Sequence, residues 1–260
     1  MLRRSLVLAY AIVSYALFFV TYVYTAGFLG NLVVPKSIDS PRDVSLARAL
    51  LVDAGLLLLF ALQHSVMARP TFKRWWTRYV PEPAERITYV LFSSLALILL
   101  FWLWQPIGGT IWHIENPLGR GAMHALFASG FLIVLVASFL INHFDLFGLR
   151  QGWLYFRGRP YTPLKFATPA LYSVVRHPLY VGWLLCFWAT PTMTVAHAFL
   201  AICMTAYILV AIQLEERNLV EFHPDYAGYR RQVPMLIPRP RRRCSEAAQT
   251  PAPAAAADPA

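Results

Sequence analysis

Two short stretches of this 260-residue chain hold the side chains best suited to bind a charged ligand: Arg176-His177-Pro178-Leu179-Tyr180-Val181-Gly182-Trp183 and Glu215-Glu216. Pro178 suits the first position of a helix, which makes His177 the expected N-cap and places Arg176 just outside the helix start. Backbone N–H groups left free there, beside a guanidinium, form a local site for a carboxylate or phosphate. His177 and Glu215 are 38 residues apart, but a helix pair that doubles back would set them side by side. Cation and anion would then face one cleft, suited to a ligand with an ammonium next to a carboxylate. The methionyl part of S-adenosylmethionine is such a ligand. The competing reading is that Arg176 and Glu216 simply pair with each other as a structural bridge.

Acid–base capacity lies elsewhere. His143 and Asp145 follow the end of one apolar run, and His64 stands near the end of another. Histidine has the intrinsic pKa of a base that works near neutrality, and Asn142 is placed to orient a neighbour. The plainer readings are a helix-end cap for His143 and an interfacial side chain for His64. Asp53, Leu57, Phe60 and His64 share one helix face, which puts acid and imidazole three turns apart, too far to touch. A carboxylate inside an apolar run is costly and tends to be functional; anchoring a neighbouring helix is preferred here over proton relay. His113, His124 and His197 are expected to make interhelical or interfacial hydrogen bonds. Cys186, Cys203 and Cys244 show no CxxC spacing, so neither a disulfide nor a metal site is expected.

These residues must be positioned by membrane helices. The composition is 58% hydrophobic and only 14% charged, which excludes an ordinary soluble globule. Runs at Ser5 to Tyr24, Ala49 to Ala68, Ile87 to Ile107 and Gly121 to Ile141 each match the roughly 20 residues of one bilayer crossing. The run from Leu179 to Leu214 is too long for one crossing, and Thr190-Pro191-Thr192 interrupts it. A break there makes two short helices in a re-entrant or barely spanning hairpin. The expected fold is therefore all-α: a polytopic helix bundle of four full spans plus a C-terminal helical hairpin. A signal peptide is the rival reading of the first run, but its apolar stretch is too long and no small-residue cleavage site follows.

The net charge of +10 is distributed by side. Nineteen of 23 Lys and Arg fall in the N-terminus, the loops from Arg69 to Arg86 and from Arg150 to Arg176, and the segment beyond Leu214; only Lys36, Arg42, Arg48 and Arg120 fall on the other side. The positive-inside rule then places both termini and both basic loops in the cytoplasm. Charge so arranged marks topology rather than nucleic-acid binding. Residues 1–141 read as the transmembrane bundle and 142–238 as a cytoplasmic loop, hairpin and C-terminal segment that build the site. Residues 239–260, which start Arg-Pro-Arg-Arg-Arg and end in Ala and Pro, read as a disordered tail. The aromatic-rich stretch 142–178 is too long for a simple link and is expected to pack on the membrane face. Gly108-Gly109 is no strand-to-helix fingerprint, so a soluble dinucleotide-fold methyltransferase domain is excluded.

Arg-His-Pro-x-Tyr-x-Gly, a hairpin, Glu-Glu-x-x-Leu, then Tyr226, Tyr229, Val233-Pro234 and Ile237-Pro238 resemble the C-terminal signature of integral membrane methyltransferases. That superfamily includes isoprenylcysteine carboxyl methyltransferases and phospholipid N-methyltransferases. One departure is visible: Phe222-His223-Pro224-Asp225-Tyr226 replaces the family's Gly with Pro and is one residue shorter. Gln63-His64-Ser65-Val66-Met67-Ala68-Arg69-Pro70, Val80-Pro81-Glu82-Pro83-Ala84-Glu85-Arg86 and Asn142-His143-Phe144-Asp145-Leu146-Phe147-Gly148-Leu149-Arg150-Gln151 further resemble the bacterial methanethiol S-methyltransferase family. The resemblance runs from about Ala49 to Pro238. It implies Arg176, His177, Tyr180, Gly182, Glu215 and Glu216 as residues for the cofactor S-adenosylmethionine. By the same resemblance Asn142 and Gln151 face the substrate, with His143, Asp145 and His64 as candidates for removing its proton.

The activity so implied is transfer of a methyl group to methanethiol, giving dimethyl sulfide, by a multi-pass protein of the bacterial inner membrane. Its partners would be a small thiol and the lipid bilayer, with no nucleic acid. Two alternatives stay open: the same chemistry on a lipidic acceptor, and a non-catalytic membrane protein linked to nitrogen-oxide metabolism.

Overall fold

The computed structural model describes residues 1–41, 44–164, 167–222 and 225–239. The expected tail, apart from Arg239, lies outside the described residues, as do His223 and Pro224 of the departing motif. Within them the chain is an all-α membrane bundle. In chain order come α1 (Leu2–Gly30), α2 (Leu46–Met67), α3 (Pro70–Trp76), α4 (Glu82–Leu103), β1 (Thr110–His113), α5 (Pro117–Leu140), α6 (His143–Leu146) and α7 (Leu149–Phe156). A 3-10 turn (Ala170–Ser173), α8 (Pro178–Trp188), β2 (Thr192–Thr194), α9 (Val195–Phe222) and α10 (Tyr226–Gln232) complete it. Five of these helices, α1, α2, α4, α5 and α9, are long and apolar enough to cross a membrane.

The hairpin is present and breaks where Pro191 stands, but its arms are unequal. The outgoing arm α8 has 11 residues and the return arm α9 has 28, so the return arm is not short: it can cross alone. At 1.5 Å per residue α8 covers only about 16 Å; the extended residues 189–194 carry the chain the rest of the way. Irregular backbone at membrane depth requires protein around it and partners for its polar groups. Ala189, Thr190, Pro191 and Met193 are all buried. Trp112 Nε1 donates to Thr190 O at 3.2 Å, and Ile114 N to Pro191 O at 2.9 Å. β2 pairs antiparallel with β1, a small sheet that periodicity did not signal. His197, fully buried, donates from Nε2 to Phe187 O at 2.9 Å, supplying the carbonyl freed where α8 ends. His113 Nδ1 lies 2.8 Å from Thr192 Oγ1. Both histidines thus make the expected structural bonds.

Two close approaches set the helix geometry. Gly130 on α5 faces Gly182 on α8; a Cβ on Gly182 would lie 2.7 Å from Gly130 O and 3.0 Å from Val134 N. Small residues let the backbones touch, the usual device where lipid supplies no hydrophobic drive between helices. At the other contact, Gly148 adopts φ +86°, and a Cβ there would meet Ile87 N at 2.9 Å. This lets the segment before α7 press on the start of α4, where Val7, Ala11 and Ile87 form a small core.

Asp53 is fully buried and accepts from Gln105 N at 2.8 Å, just past the end of α4. That bond ties α2 to α4, the anchoring role expected of it. The aromatic-rich stretch packs as α6, α7 and the 3-10 turn, with Tyr172 buried and its hydroxyl donating to Ala137 O at 3.4 Å.

Candidate active site

Pro178 opens α8 and His177 occupies its N-cap position. The imidazole does not cap the helix: it turns towards α9, where Nε2 lies 3.0 Å from Glu216 Oε1. Arg176 donates from Nε to the same oxygen at 2.7 Å and from Nη1 to Arg230 O and Val233 O at 2.7 and 2.8 Å. Arg230 Nε stands 3.1 Å from Glu216 Oε2. Glu216, only 2% exposed, is therefore the hub for two guanidiniums and an imidazole. The backbone joins in: Arg176 N donates to Pro234 O at 2.9 Å and His177 N to Met235 O at 3.2 Å. Residues 226–236 are thereby strapped across the hairpin. Tyr229 OH donates to Tyr172 O, and burial raises the Tyr229 phenol to about 12.

The doubling back thus brings the two motifs together, and it does so by direct pairing of Arg176 with Glu216. The structural bridge and the charge cluster are one object. The charge left open is on Glu215, whose side chain is 47% exposed; Tyr180 OH donates to its Oε2 at 3.0 Å, and His177 Nδ1 lies 4.0 Å away. Gly182 does not face this cluster; its place is the α5–α8 crossing, where a side chain cannot fit.

His143 is 2% exposed, and both its ring nitrogens are engaged: Nε2 with Tyr15 OH at 2.8 Å and Nδ1 with Ser138 Oγ at 2.7 Å. Phe139 stacks on it at 4.2 Å. Burial holds its pKa below the ordinary 6.5. Asp145 is paired with Arg150 at 2.7 Å and accepts from Tyr161 OH at 3.2 Å. Asn142 and Gln151 both serve the same turn, Asn142 Oδ1 accepting from Asp145 N at 3.2 Å and Gln151 Nε2 donating to Asp145 O at 3.1 Å. This group forms a closed knot between α1 and α5.

His64 stands in different company. Its Nε2 lies 2.7 Å from Tyr89 OH and its Nδ1 3.2 Å from Ser93 Oγ, both on α4. One residue further along α2, Ser65 Oγ lies 3.2 Å from Tyr207 OH on α9. Tyr89 interacts electrostatically with Glu215 and Tyr207, and Tyr180 with Glu215, Tyr207 and Tyr89. One polar region therefore links α2, α4, α8 and α9, with His64 at one side and Glu215 at the other. Sequence reasoning found its two ends and missed Tyr89, Ser93 and Tyr207 between them. The available signal was spacing: Arg86, Tyr89 and Ser93 recur at i, i+3 and i+7 on α4, a polar stripe in an apolar helix. Arg230 gave no signal, because its role comes from the strap.

A polar region between membrane helices, with an open carboxylate and aromatic walls, suits a small cationic ligand and a small acceptor. A methanethiol S-methyltransferase from Crocosphaera subtropica is 63% identical to this chain over 238 residues, 91% of this chain and 93% of that one. One from Mycobacterium tuberculosis is 49% identical over 242 residues, 93% and 99% of the two chains. Nurim from Bos taurus, a more distant relative, is 32% identical over 190 residues, covering 68% and 71%. No family model matches the chain, and no solved structure matches it. Identity of 63% over 91% of its length makes the chain a member of the methanethiol S-methyltransferase family.

Proposed function

We propose that this protein transfers the methyl group of S-adenosylmethionine to methanethiol, releasing dimethyl sulfide, in a site at the basic end of its membrane bundle. The observation that carries the reading is the meeting of Arg176-His177 with Glu215-Glu216 in a chain whose relatives include proteins named methanethiol S-methyltransferase. In this reading that end, with both termini, faces the cytoplasm from a bacterial inner membrane, a side supported by its excess of Lys and Arg.

S-adenosylmethionine supplies a methyl group on a sulfonium. The residues present fit such a donor: Glu215, half-exposed beside Tyr180, is an open partner for its cationic groups. Arg176, His177 and Glu216 hold the strap of residues 226–236 against the hairpin and so fix Glu215 and Tyr180 in place. Asn142, Gln151, Asp145 and His143 keep the neighbouring turn closed, while His64 is the imidazole that faces the polar region.

Attack of a thiolate on a sulfonium methyl cancels two charges, so a poorly hydrated site disfavours the reactants more than the transition state. Alignment of the sulfur opposite the methyl adds to this. The chain need supply no nucleophile; it binds, aligns, excludes water and takes the thiol proton.

Membranes containing the protein, given S-adenosylmethionine and methanethiol, are expected to release dimethyl sulfide into the headspace. His177→Ala and Glu216→Ala should each cut that output at least tenfold through weaker donor affinity. Undiminished output from both variants would sink the site assignment.

A further inference from the structure

The hydrogen bonds around His64 fix which of its nitrogens carries the proton. Ser93 Oγ donates its own hydrogen to Tyr89 O at 2.9 Å, so towards His64 it can only accept. Nδ1 of His64 must then carry the hydrogen, at 3.2 Å from Ser93 Oγ. Nε2 is left as a lone pair, and Tyr89 OH donates to it at 2.7 Å. The phenolic oxygen of Tyr89 keeps its acceptor capacity. A neutral imidazole reached through a hydroxyl offers an acceptor lone pair at one remove.

Arg86, one turn before Tyr89 on α4, places its guanidinium carbon 5.9 Å from the centre of the Tyr89 ring. Its charge also reaches Tyr161. The nearby acid is taken: Glu85 pairs with Lys73 at 3.6 Å. Arg86 has no hydrogen bond or ion pair among the described residues, although its side chain is partly buried. An unpaired, partly desolvated guanidinium is expensive unless an anion joins it. Gln63 Oε1, next to His64, is likewise buried without a partner among the described residues. On the α8 and α9 side, Tyr207 OH lies 3.2 Å from Ser65 Oγ, next to His64, and Tyr180 OH donates to Glu215 Oε2 at 3.0 Å.

From this geometry we infer that Arg86, Tyr89 and His64 form the thiol-ionising unit: Arg86 holds the acceptor as its thiolate, and Tyr89 passes the thiol proton to His64 Nε2. The inference rests on the function proposed above. In the step, the thiol S–H bond breaks and its proton goes to Tyr89 Oη while the phenolic proton moves to His64 Nε2. The thiolate beside Arg86 then forms a C–S bond to the donor methyl as the sulfonium C–S bond breaks. Dimethyl sulfide and S-adenosylhomocysteine leave, and the imidazolium returns one proton to water. Tyr89 and Arg86 touch the acceptor; His64 acts through Tyr89.

The test compares methanethiol with the more acidic 2,2,2-trifluoroethanethiol, using the full chain in membranes. Tyr89→Phe and His64→Gln are expected to lower kcat/KM for methanethiol about 100-fold, the usual size of general-base assistance. For the acidic thiol, which needs less help to ionise, the loss should shrink to about tenfold or less. Arg86→Gln should raise KM for both thiols, Arg86→Lys should restore part of it, and S-adenosylhomocysteine affinity should stay within about twofold throughout. Equal losses with both thiols would mean a merely structural unit. A weaker donor affinity in Arg86→Gln would make Arg86 the anchor of the donor carboxylate. Either result overturns the inference while leaving the methyltransferase standing. Wild-type protein that binds donor but methylates neither thiol would remove the underlying reading, and the inference with it.

Discussion

Arg176 and Glu216 are 40 residues apart in the chain and 2.7 Å apart in space. The same guanidinium reaches the carbonyls of Arg230 and Val233, so one side chain joins the start of α8, the end of α9 and the strap beyond it.

Arg176→Lys keeps the charge but cannot serve a carboxylate and two carbonyls from one planar fork. Donor affinity is expected to fall about tenfold or more, with residues 226–236 becoming accessible to protease. Limited proteolysis beside S-adenosylhomocysteine titration checks both; intact resistance with weak binding would show that Arg176 contacts the donor and does not hold the strap.

Gly182→Leu places a side chain where even a Cβ would lie 2.7 Å from Gly130 O. The α5–α8 crossing must open, at a cost of about 1–3 kcal/mol or more. The melting temperature in detergent should drop, and donor binding should weaken only as far as folding does. A variant that melts like wild type yet loses donor would return Gly182 to the cofactor site.

Asp53→Asn keeps the acceptor for Gln105 N–H and removes a buried ionisable group whose second oxygen has no partner among the described residues. Dimethyl sulfide output within about twofold of wild type is the expected result. A large loss with unchanged melting would instead make Asp53 part of a proton path.

Burial holds the His143 imidazole neutral below its ordinary pKa of 6.5. The unfolded chain therefore binds more protons than the folded one as pH falls through 6.5, and stability declines from there towards the lower folded value. In His143→Gln the acid limb of the melting-temperature profile should flatten. A profile as steep as wild type between pH 7.5 and 5.5 would assign the slope to other groups.

Much of this was legible in the residues. Apolar run length gave the first four spans, Pro178 gave the start of α8, and Pro191 gave its break. The length of α9 was not legible, because Glu215, Glu216 and Arg217 ended the apolar run while the helix continued through them to Phe222. The β1–β2 pair was hidden as well: strands of four and three residues, set by the needs of an unwound segment, leave no periodic trace. At the site, the charged motifs announced themselves by type. The Tyr89–Ser93 stripe did not, since Tyr and Ser in a membrane helix look like ordinary interface residues until His64 is seen to bond both.

With 11 residues, α8 is about half the length that partitions into lipid unaided. During biogenesis it must wait for α9 to enter and for β1 to receive β2. Arg176 and His177, at the start of α8, are thus installed at the last stage of insertion, once every other crossing is already in place.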